Sequence, residues 1–249
     1  MSNIADQTLT QSDFWEASWA KHLAQYLANP PRAGMWLRWR LGRAPLDTLE
    51  IAGGSCRDSR YLYTNGWAAV GSDFDIKTIA YLKQQFADVG QTLDVADAFQ
   101  LPYADKQFDL SFHNGFYVLF NDEKTIFELL HEQLRVTKKR LVFFVHNIEN
   151  KALRHNFHER AQFDPLYNIR FFSRDEIKHL IEESGIPFKS CHIEKFGGPT
   201  DAFYAKRIKR IPNPLFPLAK ALVPYSYRFL PWRYVERLAC IIEIAESES

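Results

Sequence analysis

The most constraining feature of the chain is the stretch Leu49-Glu50-Ile51-Ala52-Gly53-Gly54-Ser55-Cys56-Arg57-Asp58-Ser59-Arg60. It reads as a buried strand that runs into small residues and reopens as a helix. Glycine at such a turn tolerates positive φ and lets a ligand approach the backbone. The helix that follows offers unpaired N–H groups and the positive end of its dipole. A strand, a small-residue turn and a helix together make a nucleotide-type site at the carboxyl edge of a sheet. The turn alone does not say which nucleotide.

The rest of the chain fits around that unit. Strands are expected at 48–52, 68–73, 91–94, 107–113, 140–146, 190–196 and 239–244, and helices at 57–64, 76–86, 123–135 and 173–184. The Leu-Val-Phe-Phe-Val run at 141–145 suits a strand buried on both faces. Strands alternating with helices give an α/β fold with a parallel, doubly wound sheet. Ahead of it, Asp13 and Glu16 resemble a capping box, and Trp15, Trp19, Leu23 and Tyr26/Leu27 recur on one helical face. Asn29-Pro30-Pro31 ends that helix, and a shorter one carries Trp36, Arg38, Trp39 and Arg40. These helices either cover the sheet or form a lid over a ligand cleft. The organisation is a tail and helical cap over 1–44, a core over 45–197, a basic and aromatic insertion over 198–238, and a last strand with its tail over 239–249.

Composition narrows the function. Lys+Arg 31 against Asp+Glu 30 leaves a net charge of +1, so no global field points to nucleic acid or to a charged membrane. Three scattered cysteines fit a reducing compartment without a disulfide framework or a cysteine-based metal site, and no metal site is expected. The polar start and the lack of a long apolar run give a cytoplasmic protein as the expectation.

Four loops at strand ends carry the chemistry. Asp73 closes the second strand about twenty residues after the turn, where a carboxylate accepts from both ribose hydroxyls; the competing reading is a helix cap. Asp97 can accept from an exocyclic amine while the Ala98 N–H donates to a ring; the alternative is a solvent-facing acid. His113, Asn114, Gly115, Phe116 and Tyr117 follow the fourth strand, with His113 read as a packing histidine or as a general base. His146-Asn147 offers a second base.

These residues identify a resemblance. The turn, Val70-Gly71-Ser72-Asp73-Phe74-Asp75, Asp97-Ala98-Phe99-Gln100-Leu101-Pro102, Phe108-Asp109-Leu110-Ser111 and Leu134-Arg135-Val136-Thr137, in this order and spacing, resemble class I S-adenosylmethionine-dependent methyltransferases over about 45–197 plus the last strand. The resemblance implies a Rossmann-like sheet of order 3-2-1-4-5-7-6 with an antiparallel last strand. It implies S-adenosyl-L-methionine as cofactor, with Glu50 and Ala52, Gly53, Gly54, Ser55 and Cys56 against the methionine part. Asp73 takes the ribose, Asp97 and Ala98 the adenine, and His113 the inner wall. Phe74 and Asn114 complete the expected cofactor contacts. His113, Tyr117 and His146 are the catalytic candidates.

The chain departs from the family pattern in two places. Ala52 and Cys56 stand where glycine is usual, and Cys56 is expected in a conformation open to non-glycine residues. After Asn114-Gly115 the sequence is Phe116-Tyr117-Val118-Leu119 rather than Val-Leu-Glu-His. Methyl transfer needs positioning and water exclusion more than covalent help, so a missing base does not argue against catalysis. The absence of Asn-Pro-Pro-Tyr/Phe, of a metal-binding carboxylate pair and of Gly-x-Gly-x-x-Gly argues against base or glutamine methylation, catechol-type chemistry and nicotinamide binding. The expected acceptor is a small molecule, anionic or lipid-like in one reading. The basic and aromatic stretch 203–237 is a lid or dimer surface of short helices, an acceptor wall or a peripheral membrane contact, and nucleic acid is not favoured. The rival function is a catalytically silent cofactor-binding or scaffolding protein. Oligomeric state is open.

Overall fold

A computed structural model of the chain describes residues 12–199, 201 and 223–245. Helices α1 (Ser12–Ala28) and α2 (Arg32–Leu41) precede β1 (Asp47–Glu50), α3 (Arg57–Thr64), β2 (Ala68–Asp73), α4 (Ile76–Gln85) and β3 (Leu93–Val95). Then come β4 (Phe108–Asn114), α5 (Glu123–Val136), β5 (Thr137–His146), α6 (Lys151–Ala161), α7 (Arg174–Glu183), β6 (Phe188–Phe196) and β7 (Arg237–Ile244). The sheet order is β3-β2-β1-β4-β5-β7-β6, with β7 antiparallel to both neighbours, as the resemblance implies.

Side-chain alternation sorts the core into two layers. Leu141, Phe143 and Val145 of β5 face α5 and α7, where Ile126, Leu130, Ile177 and Ile181 cover them. Val142 and Phe144 face the other way, onto Trp36 and Leu37 of α2 and Leu62 of α3. Helix α2 is therefore a structural layer. Trp36 is 1% exposed, with its ring 5.4 Å from Phe144 and 6.1 Å from Phe196. Gly34 permits its close approach, since a Cβ there would lie 2.6 Å from the Asp58 carbonyl oxygen.

Several sequence expectations shift. β1 ends at Glu50, two residues early, because Ala52 turns to φ 49°. β5 begins at Thr137 and β7 at Arg237, both earlier than apolar pattern alone suggests. Helix α6 falls where no helix is expected; it buries none of its residues, so no core-facing periodicity marks it. α7 keeps its predicted cap, with Ser173 accepting from the Glu176 N–H in a reciprocal box. Residues 202–222, with Phe203, Tyr204, Phe216, Lys206, Arg207, Lys209, Arg210 and Lys220 of the predicted basic and aromatic stretch, lie outside the described residues. Tyr227 packs into the α2 layer.

Candidate cofactor and acceptor site

The turn after β1 is fixed by hydrogen bonds. The Gly53 N–H donates to the Ser72 carbonyl at 2.8 Å, and the Gly54 N–H to the Asp73 carboxylate at 2.7 Å. The Glu50 carboxylate accepts from the Ser59 N–H at 2.8 Å, tying strand to helix. Gly54 has φ 54° and lies directly under Trp19 of α1; a Cβ there would fall 2.1 Å from the indole. Cys56 caps α3 in the left-handed region at φ 44°, ψ 28°. It adopts the conformation that favours glycine, contrary to the sequence expectation, and its side chain is buried with Ile79, Leu82 and Leu93.

A cavity of about 580 Å³ opens over the carboxyl edge of the sheet. That volume is ordinary for a small-molecule site. Over β1–β3 it is lined by Glu50, Ala52, Gly53, Ser55, Asp73, Phe74, Asp97 and Ala98. Over β4, β5 and β7 it is lined by Asn114, His146 and Arg237, and closed by Trp15, Trp19 and Tyr26 of α1, Phe157 of α6 and Leu166, Tyr167 and Ile169. Most expected cofactor residues thus meet in one place. Gly54 shapes the wall through its backbone, and Cys56 supports it from the core.

Two catalytic candidates face elsewhere. His113 is in register with Phe143, so both point to the α5 layer, whereas Asn114 points into the cavity. His113 is 1% exposed and stacks on Phe143; burial pushes its pKa down to about 3. Tyr117 is buried beside it and donates to Gln133 Oε1 at 2.8 Å. Neither lines the cavity, which corrects the expectation that His113 forms its inner wall. His146 does line it. Burial and then Arg237 hold its pKa well below the usual histidine value, so it stays neutral.

The carboxylates give the cofactor half its character. Asp73 accepts from Gly54 and from the Asp75 N–H at 3.0 Å, keeping lone pairs for further donors. Burial raises its pKa to about 6. Burial and, next, Asp58 raise that of Glu50. Buried carboxylates on a cavity wall suit a ligand that brings a cation and vicinal hydroxyls. The donor set therefore fits S-adenosylmethionine. Asp97 is exposed and accepts from the Phe99 N–H at 2.9 Å.

Sequence reasoning missed several lining residues. Trp15, Trp19 and Tyr26 were legible as an apolar face, and they line the cavity. Phe99, Phe116 and Phe120 line the cavity as apolar neighbours of motif residues. Arg237 reads in sequence only as one of many basic residues. Among the described insertion residues it is the one that lines the cavity. No group of three or more potential metal ligands occurs among the described residues, and no helix there is long and apolar enough to cross a membrane.

Comparison with known proteins agrees with this geometry. The methyltransferase-domain family matches residues 49–145. A SAM-dependent methyltransferase from Thermotoga maritima superposes with a TM-score of 0.62 at 14% identity, covering 91% of this chain and 98% of that chain. Magnesium protoporphyrin IX methyltransferase from Synechocystis PCC 6803, with bound SAH, gives 0.53 at 11% identity, covering 90% and 82%. A SAM-dependent methyltransferase from Methanosarcina mazei gives 0.55 at 15% identity, covering 82% and 94%. No curated protein matches by sequence.

Proposed function

We propose, from a core that belongs to the class I S-adenosylmethionine-dependent methyltransferases, that this chain transfers a methyl group to a small-molecule acceptor. The observation that carries the reading is the continuity of the cavity. It runs from Asp73 and Asp97 past Asn114 into an aromatic-walled space over β4, β5 and β7. A silent scaffold would seal that second half, so this continuity counts against the scaffolding alternative. The coarse function is shared by structural relatives, one of which acts on a porphyrin.

Bound there, the cofactor supplies a methyl group on a sulfonium, a leaving arrangement already activated. The chain supplies the rest. Asp73 holds the ribose hydroxyls, Asp97 and the Ala98 N–H hold the base, and Glu50 with the turn faces the amino-acid part. Trp19, Trp15, Phe157 and Tyr167 exclude water and align the acceptor, which is where most of the rate comes from in such a transfer. His146, neutral and of low basicity, accepts a hydrogen bond from the acceptor rather than removing its proton outright.

Calorimetric titration tests the reading. SAH should bind at micromolar concentrations, and Asp73→Ala should weaken binding by about 1.5–3 kcal/mol, the scale of hydrogen bonds to a charged group. Absence of binding by the wild-type chain overturns it.

A further inference from the structure

Three side chains at the tips of adjacent strands point to the same side of the sheet. Asn114 continues the face of Leu110 and Phe112 in β4, His146 that of Val142 and Phe144 in β5, and Arg237 that of Ala239 and Ile241 in β7. Across the cavity wall they meet Arg57 and Asp58 at the start of α3. Four of the five groups form a chain. Arg57 Nε lies 3.9 Å from Asp58 Oδ2, Asn114 Nδ2 donates to that oxygen at 3.3 Å, and Arg237 Nη1 donates to Asn114 Oδ1.

Donor capacity is left over. Arg57 Nε, Arg237 Nε and His146 Nδ1 are buried with no hydrogen-bond partner, and all three residues line the cavity. Buried polar atoms are ordinarily paired, and the two guanidinium N–H groups can only donate, so this cavity end calls for an acceptor group. The nearby carboxylates are engaged. Glu236 accepts from both Nη atoms of Arg32, at 2.8 and 2.6 Å, and reaches Arg237 Nε only at 3.6 Å. Asp58 also accepts from the Gly34 N–H at 2.9 Å. The surrounding wall is apolar, from Phe157, Leu166, Tyr167 and Ile169.

We infer that Arg237, aided by Arg57, binds a carboxylate on the acceptor, so that the substrate is a small apolar or aromatic acid. The inference rests on the methyltransferase reading and names its substrate class. A planar guanidinium matches a carboxylate with two parallel hydrogen bonds. The neutral His146 adds a polar contact without a competing charge. Position assigns the anion to the acceptor rather than to the cofactor. β7 is three strands from β1, about 14 Å at the usual spacing of neighbouring strands. Arg57, beside the turn, is the member nearer the cofactor.

The test uses the whole chain saturated with SAH, titrated by fluorine NMR with 4-fluorobenzoate and with its uncharged analogue 4-fluorobenzamide. The acid should bind at least about tenfold more tightly than the amide, the scale of a charge-assisted hydrogen bond. Arg237→Gln should erase that preference while keeping SAH affinity within about twofold, and Arg237→Lys should restore part of it. Equal binding of acid and amide overturns the inference, as does a preference unchanged in Arg237→Gln. So does an Arg237→Gln chain that loses SAH but keeps 5′-methylthioadenosine, which lacks the amino-acid part; that result hands the guanidinium to the cofactor. If Arg237→Gln binds neither nucleoside, the wild-type comparison and Arg57→Gln decide. Failure of the wild-type chain to bind SAH would instead defeat the methyltransferase reading.

Discussion

The floor and the roof of the cavity are built on different principles. The floor, at the tips of β1 and β2, is organised by main-chain donors: the Gly53 N–H donates to the Ser72 carbonyl, and the Gly54 and Ser59 N–H groups to the Asp73 and Glu50 carboxylates, over 2.7–2.8 Å. The roof, from α1, α6 and 165–169, is held by side chains. Lys21 and His22 both bond Asp164, at 2.8 and 2.9 Å, the Arg57 guanidinium donates to the Tyr26 carbonyl at 2.8 Å, and aromatic rings meet edge-on. A floor of main-chain donors and buried carboxylates suits a ligand of constant chemistry. A roof of exchangeable side chains suits one whose chemistry differs from protein to protein.

The hardest blow to the comparison comes from the layer that only looks like roof. Trp36→Ala in α2 should destabilise the fold by about 3–5 kcal/mol in denaturant titration, since a fully buried Trp leaves a cavity. Phe157→Ala in α6, against the cavity, should cost far less stability. Equal losses would mean that the roof is part of the core.

The floor has a pH signature. The folded pKa of Asp73 is about 6 against an unfolded value of 3.8, so the folded state binds its proton more tightly. That contribution to stability is fully present below pH 3.8 and is lost as pH rises through about 6. The loss is at most about 3 kcal/mol, at 1.36 kcal/mol per unit of pKa. Asp73→Asn should flatten this fall between pH 4 and 7 in ligand-free chain. An unchanged slope would show that burial of Asp73 is not what sets it.

The roof has a smaller one. Asp164→Asn should lower stability by less than about 1 kcal/mol, because its partner Lys21 is largely exposed. It should nevertheless speed SAH dissociation in stopped-flow measurements, by loosening α1. Smallest of all is Ala52→Gly. Relief of the strain at φ 49° and the extra freedom of unfolded glycine offset each other, leaving stability within about 0.5 kcal/mol. A larger gain would mark the turn as strained beyond its φ alone.

The same division decides what could be read from sequence. The floor was legible, because a small-residue turn and an acid at a strand end are local patterns: Asp73 and Asp97 line the cavity at strand ends, and the 141–145 run is a buried strand. Ala52 and Cys56 were legible as departures, but their positive φ was not, since no glycine announces it. The roof was poorly legible. Trp15, Trp19 and Tyr26 mark a helical face without saying what it faces. Phe157 lies on a helix that buries nothing, and so gives no periodic signal. His113 and Asn114 were both named, but alternation turns only Asn114 toward the cavity. Arg237 depends on pairing between β5 and β7, a contact between segments some ninety residues apart.

That pairing has a further consequence. Arg237 stands opposite His146, and successive residues of β7 face opposite sides of the sheet. A slip of one residue would rotate Arg237 out of the cavity and bring Glu236 or Leu238 to its place, reversing or erasing the charge offered to an incoming molecule. Substrate preference would change without any substitution at the site. Residues inserted or deleted between β6 and β7 are therefore of two kinds: those absorbed in the connection, which are silent for selectivity, and those that shift the ladder, which act as a switch of charge.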